Sequence, residues 1–162
     1  MYSTAGWENF FVAEAGASAA LLGLLFVAVS INLAKVLELV QLPGRAIEAL
    51  LELFAVLLVA TCGLVPGQST QLLGVEILVV GLVASFWPLV LQLRTPKVPG
   101  APLSWTLIHV VLAQLSALPV IAAGVSLLVG RGGGLYWIVP GVVLALASAL
   151  VNGWVLLVEI HR

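Results

Sequence analysis

Residues 135–158 read LYWIVPGVVLALASALVNGWVLLV, 24 consecutive positions without Asp, Glu, Lys or Arg. Coiled as an α-helix at 1.5 Å per residue, the stretch covers about 36 Å, more than the roughly 30 Å hydrocarbon core of a bilayer. The whole chain has the same character. Hydrophobic residues make up 62% of its 162 positions and charged residues 8%, with a mean hydropathy of +1.24. Soluble domains run nearer 45–50% and about 25%. So few charges can neither clothe a soluble surface nor lay a basic track along nucleic acid, which excludes nucleic-acid binding as a function.

Four further stretches have the length and polarity of a membrane span: 10–36, 46–65, 72–93 and 105–129. The breaks between the stretches carry turn residues: Pro43 and Gly44, Pro66 and Gly67, the run from Arg94 to Gly100, and the run from Gly130 to Gly134. The sequence therefore predicts an all-α integral membrane protein, a compact bundle of five transmembrane helices forming one domain over 1–162. Short connections make consecutive helices antiparallel neighbours.

Basic residues give the expected orientation, because cytoplasmic loops are enriched in Lys and Arg. Lys35 and Arg45 flank the first connection, Arg94 and Lys97 lie in the third and Arg162 ends the sequence, whereas Arg131 alone falls on the opposite side. This places the N-terminus outside and the C-terminus in the cytoplasm. Aromatic residues give an independent reading, since Trp and Tyr favour the headgroup level. Tyr2, Trp7, Tyr136 and Trp137 fall at the expected outer ends, and Trp87, Trp105 and Trp154 toward the inner ends. They read as interface anchors rather than as a stacking box for a cofactor. Residues 1–11 contain no Lys or Arg, so the basic n-region of a signal peptide is missing and the first apolar segment is expected to remain in the mature protein. The Ala, Leu, Val and Gly bias suits a bacterial inner membrane.

Ionisable side chains inside a membrane are expensive and so are candidates for function, with snorkelling to an interface as the bland alternative. Glu14 and Glu76 lie about one turn inside the outer ends of their segments and could share a vestibule. Glu48, Glu52 and His109 lie toward the inner side and could form a second cluster. Glu48 has Arg45 three residues away, a pair that can sit at the cytoplasmic interface. Glu52 lies about 10 Å deeper than Arg45 by helical rise. It must face protein or water, which makes it the leading candidate proton carrier. His109 is the one intramembrane side chain whose ordinary titration range lies near neutrality; a hydrogen-bonded structural role is its plainer reading.

Small residues point to helix packing, which in lipid depends on close contact rather than on a hydrophobic drive. In the first segment Gly16, Ala20 and Gly23 align with Val27, Ser30 and Ala34 at 100° per residue, nearly opposite Glu14, Ser18, Leu21, Leu25 and Asn32. The small stripe is expected to face protein. Gly141, Ala145, Ser148 and Asn152 form a second stripe in the last segment, with Asn152 expected to hydrogen-bond across it. In the fourth, His109, Ala113, Ser116 and Val120 align, Gln114 lies to the side and Pro119 is expected to kink the helix.

No H-E-x-x-H, Cys-x-x-Cys, G-x-S-x-G, Walker or G-x-G-x-x-G pattern occurs. The lone Cys62 can form no intrachain disulfide. Arg131 to Gly134 is glycine-rich but lacks the Lys-Ser/Thr of a phosphate cradle, and reads as a flexible turn. A metal site would require Glu14 to meet Glu76, or Glu52 to meet His109; neither a metal nor another cofactor is expected. Acids at both ends of the bundle and no catalytic set lead to a homo-oligomeric channel or carrier for protons or monovalent cations. The alternatives are a structural or regulatory subunit of a larger membrane complex and, third, a lipid- or quinone-handling enzyme using His109 and Glu52.

Overall fold

A computed structural model of the chain describes residues 6–38, 42–94 and 103–160, and all the regular structure among them is helical. The helices are α1 (Glu8–Ile31), α2 (Leu33–Glu38), α3 (Leu42–Gly63), α4 (Thr70–Arg94), α5 (Leu103–Val129) and α6 (Ile138–Ile160), with a 3₁₀ turn, Gly134–Trp137, before the last. Four apolar stretches are long enough to cross a membrane: Glu8–Ile31, Leu42–Gly63, Thr70–Leu91 and Gly134–Trp154. A further apolar stretch within α5, Ala113–Val129, is shorter. The molecule is thus a helical bundle of membrane-protein character. Residues 95–102, Lys97 among them, lie outside the described residues, as do Tyr2 and Arg162, whereas Arg94 ends α4.

Two boundaries differ from the sequence reading for local reasons. The first segment is not one helix over 10–36 but breaks at Asn32, whose side-chain Nδ2 donates to the Ala28 carbonyl at 2.9 Å. Asn readily competes for backbone partners in this way, and its φ of −105° and ψ of 17° leave the helical region. The second segment starts earlier than 46, because Pro43 and Gly44 belong to the first turn of α3 rather than to a loop. A first turn suits Pro, since its missing N–H would have had no intrahelical partner there. Pro88 and Pro119 both lie inside continuous helices, α4 and α5.

Helices α3, α4, α5 and α6 form a ring in which each packs on the next and α6 returns to α3. Its core contains Val56, Val59, Leu73, Ile77, Ala123, Leu127, Ile138 and Val142. The most extensive pair is α4 with α5, and glycines explain it. A Cβ placed on Gly124 would lie 2.7 Å from the Leu78 backbone nitrogen, and one on Gly81 would lie 3.0 Å from that of Ile121. The pairing runs antiparallel to Ser85, which meets Gln114 on α5: Ser85 Oγ donates to Gln114 Oε1 at 2.6 Å and Gln114 Nε2 returns to the Ser85 carbonyl at 3.0 Å. Two backbones thus approach closely at one end and share polar side chains at the other, the combination that binds helices in lipid.

Helix α1 docks on the outside of this ring, mainly against α3. Its packing face is the reverse of the one the small stripe suggested. Gly16, Ala20 and Gly23 are exposed, and a Cβ on either glycine would meet nothing within 4 Å. The close contact instead uses a glycine of α3: the ring of Phe11, only 1% exposed, lies where a Gly63 side chain would stand. A large residue of α1 therefore enters a hole in α3, and the small residues of α1 are left facing away from the chain.

Candidate functional site

Helix α3 carries two acids one turn apart, Glu48 and Glu52, in an otherwise apolar run, and both are buried at 8% exposure. Glu52 faces α6, where the Ser148 hydroxyl donates to its Oε1 at 2.9 Å. The other oxygen, Oε2, is buried without a hydrogen-bond partner. A hydrogen bond to a charged group contributes about 1.5–3 kcal/mol, and a buried polar atom left unmade costs about as much. Glu52 is therefore only half satisfied. Its free oxygen can accept a bond from a donor that reaches it, or carry a proton.

Beside Glu52 lies a cavity of about 240 Å³ lined by all four helices of the ring. It extends along α3 from Glu52 to Val59, about 10 Å by helical rise. Its floor is buried, formed by Val56, Ser116, Gly141, Val142 and Ala145. Its mouth lies between α3 and α4, where the lining residues Phe54, Leu58, Val79, Val83 and Trp87 are exposed. The chamber is thus an apolar pocket open on the flank of the bundle, with a carboxylic acid at one end.

The opposite end of the bundle holds a separate polar group. Gln68 Nε2 donates to Glu76 Oε2, and the Cys62 thiol also hydrogen-bonds to Glu76. Glu14 does not join them: its Oε2 is buried without a hydrogen-bond partner. Aromatic rings fasten this end, with Trp7 against Tyr136 at a centroid distance of 5.0 Å and against Phe10 at 5.5 Å. The glycine-rich turn is ordered by specific bonds. Ser126 Oγ accepts from the Gly134 N–H at 2.8 Å, and Trp137 Nε1 donates to the Gly132 carbonyl at 2.7 Å. Gly132 and Gly133 have φ of +95° and +109°, where a side chain would be strained. The loop is a built turn.

Of the inner cluster, Glu48 and Glu52 share one side of α3, while the His109 and Trp105 side chains lie outside the described residues. Gly141, Ala145, Ser148 and Asn152 of α6 are buried along one stripe. A Cβ on Gly141 would lie 2.8 Å from Val120 Cγ2, so this glycine brings α6 against α5. Ser148, expected only as a packing residue of the last segment, is the donor to Glu52. The signal was its place on the Asn152 stripe, one turn nearer the bundle centre. Gln114 was placed to the side but bridges α4 and α5. Among the described residues, no three His, Cys, Asp or Glu side chains come together as a metal-binding group. Compared with known proteins, the chain matches no family model, no curated sequence and no solved structure.

Proposed function

We propose that the protein is a five-span carrier for protons or monovalent cations, with Glu52 as the group that takes up and releases the cation. The observation that supports this most directly is the Glu52 carboxyl itself, buried, held by one hydroxyl and left with a free oxygen beside a cavity. A carrier is favoured over an open channel. Conduction needs a continuous polar or hydrated file, whereas the cavity beyond Glu52 has apolar walls and the ring interior past it, toward the Glu76 group, is packed with Leu73, Ile77, Ala123 and Leu127. Proteoliposomes loaded with a pH dye are expected to show proton or cation flux for the wild type and at least tenfold slower flux for Glu52→Gln. Equal rates for the two proteins would refute the role of Glu52.

The proposed topology has the N-terminus outside and the C-terminus in the cytoplasm of a bacterial inner membrane, supported by the placement of Lys35, Arg45, Arg94, Lys97 and Arg162. Single cysteines at Gly67 and Lys97, in a Cys62→Ser background, are expected to label from opposite sides with a membrane-impermeant maleimide. Labelling from the same side would change the span count. A second reading, a structural or regulatory subunit or a homo-oligomer, is favoured by the uncovered Gly16, Ala20 and Gly23 face of α1. Small residues in membrane helices commonly mark a protein contact, and among the described residues nothing lies within 4 Å of a Cβ placed on Gly16 or Gly23.

A further inference from the structure

We infer that the cavity beside Glu52 is a binding site for a lipophilic amine, an organic monovalent cation whose ammonium group pairs with the Glu52 carboxylate while its apolar body fills the space between α3 and α4. Size sets the first limit. A cavity of about 150 Å³ holds benzene, so one of about 240 Å³ accepts a body of about ten non-hydrogen atoms, smaller than most drug-sized ligands. The walls set the second. Val56, Val59, Val80, Val83 and Val142 offer no hydrogen bond to the body of a ligand, which must be apolar.

The polar end sets the third limit. Glu52 Oε1 is taken by Ser148, while Oε2 is buried and accepts from nothing. An anionic ligand would meet the carboxylate of Glu52 with that of Glu48 one turn away, and a purely apolar one would leave Oε2 unsatisfied. A protonated amine supplies both the charge and the donors, up to three N–H groups.

The mouth determines the route. Phe54, Val79, Val83 and Trp87 are exposed on membrane-spanning helices, so the opening meets hydrocarbon rather than water. A ligand would enter sideways from the bilayer, where partitioning has already concentrated an amphiphilic amine. The inference deepens the carrier reading and rests on it for the identity of the cargo, but occupancy can be measured without transport.

The test uses the full chain in phosphatidylcholine nanodiscs, with radiolabelled 4-phenylbutylamine as the probe and protein-free nanodiscs to subtract partitioning. Saturable binding of one amine per chain is expected, with 4-phenylbutanol competing at least tenfold more weakly and 4-phenylbutyrate not at all. Glu52→Gln is expected to weaken amine binding at least tenfold. Val83→Trp, which fills the mouth from an exposed position, is expected to abolish it, keeping the test decisive should Glu52→Gln fail to fold. Non-saturable uptake, equal competition by the alcohol, or undiminished binding to Val83→Trp would overturn the site. Amine binding as expected without flux in proteoliposomes would retain the site and remove the carrier reading; Glu52-dependent proton flux without amine binding would do the reverse.

Discussion

Gly124→Leu is expected to abolish assembly of the bundle, with no monodisperse protein recovered from detergent. The backbone of Leu78 already stands where the first side-chain carbon would go, at 2.7 Å from its nitrogen and 2.8 Å from its Cα. Backbone cannot swing aside as the tip of a side chain can. Even Gly124→Ala must push α4 and α5 apart, at a cost of about 1–3 kcal/mol for overpacking, and the displacement would also stretch the Ser85–Gln114 pair. Gly23→Leu provides the contrast, because nothing lies within 4 Å of its added carbon. Its protomer is expected to melt within a few degrees of wild type by tryptophan fluorescence. A change confined to the size of the purified assembly would show that another chain covers that face, whereas loss of Gly23→Leu together with survival of Gly124→Leu would refute the packing described for both helices.

Phe11→Ala is expected to release α1 while leaving the four-helix ring intact. Phe11 is the largest side chain buried in that helix, and its ring fills the notch made by Gly63. In lipid the transfer part of the usual penalty falls away, because a hydrocarbon chain solvates the exposed surface about as well as a neighbouring helix does. What remains is lost contact. About 100 Å³ of removed ring at about 24 cal/mol per Å³ amounts to roughly 2–3 kcal/mol. Hydrogen exchange should rise across Glu8–Ile31 and stay at wild-type levels in α4 and α5. Uniformly raised exchange would mean that α1 and the ring unfold as one unit.

These two expectations also mark how far the sequence could be read. The helical, membrane-type character was legible because it depends on composition and run length, which need no partner. Which face of a helix meets which neighbour was not, since a glycine can serve a close approach or simply face lipid, and the spacing of Gly16, Ala20 and Gly23 looks the same in either case. Gly74 and Gly81 are seven residues apart, as Gly16 and Gly23 are, yet they lie with Gly124 at the α4–α5 seam. They matter because two antiparallel helices bring them into register. The acids divide in the same way. Glu52 stood out by its depth along a helix, a one-dimensional quantity, whereas its Ser148 donor lies 96 residues away and could be found only once α3 and α6 were side by side. The cavity was illegible for the same reason: four helices enclose it, and no one of them is unusual along its length.

The peripheral position of α1 has a consequence for the order in which the protein is made. The buried residues of α1 are Phe11 and Ser18, and its serines, with Asn32 just past its end, turn back on the local backbone: Ser18 donates to the Glu14 carbonyl, Ser30 to that of Phe26 and Asn32 to that of Ala28. A segment that meets most of its polar groups itself can leave the translocon before its neighbours are made, with the Glu14 carboxyl, whose Oε2 has no hydrogen-bond partner, the group that still needs one. The ring that follows is built from consecutive neighbours, each able to dock as it emerges, until α6 closes onto α3 and brings Ser148 to Glu52. Helix α6, made after α3, α4 and α5, is therefore the one that completes the buried acid's surroundings, and until it arrives that carboxyl must find its hydrogen bonds in water, headgroups or the insertion machinery.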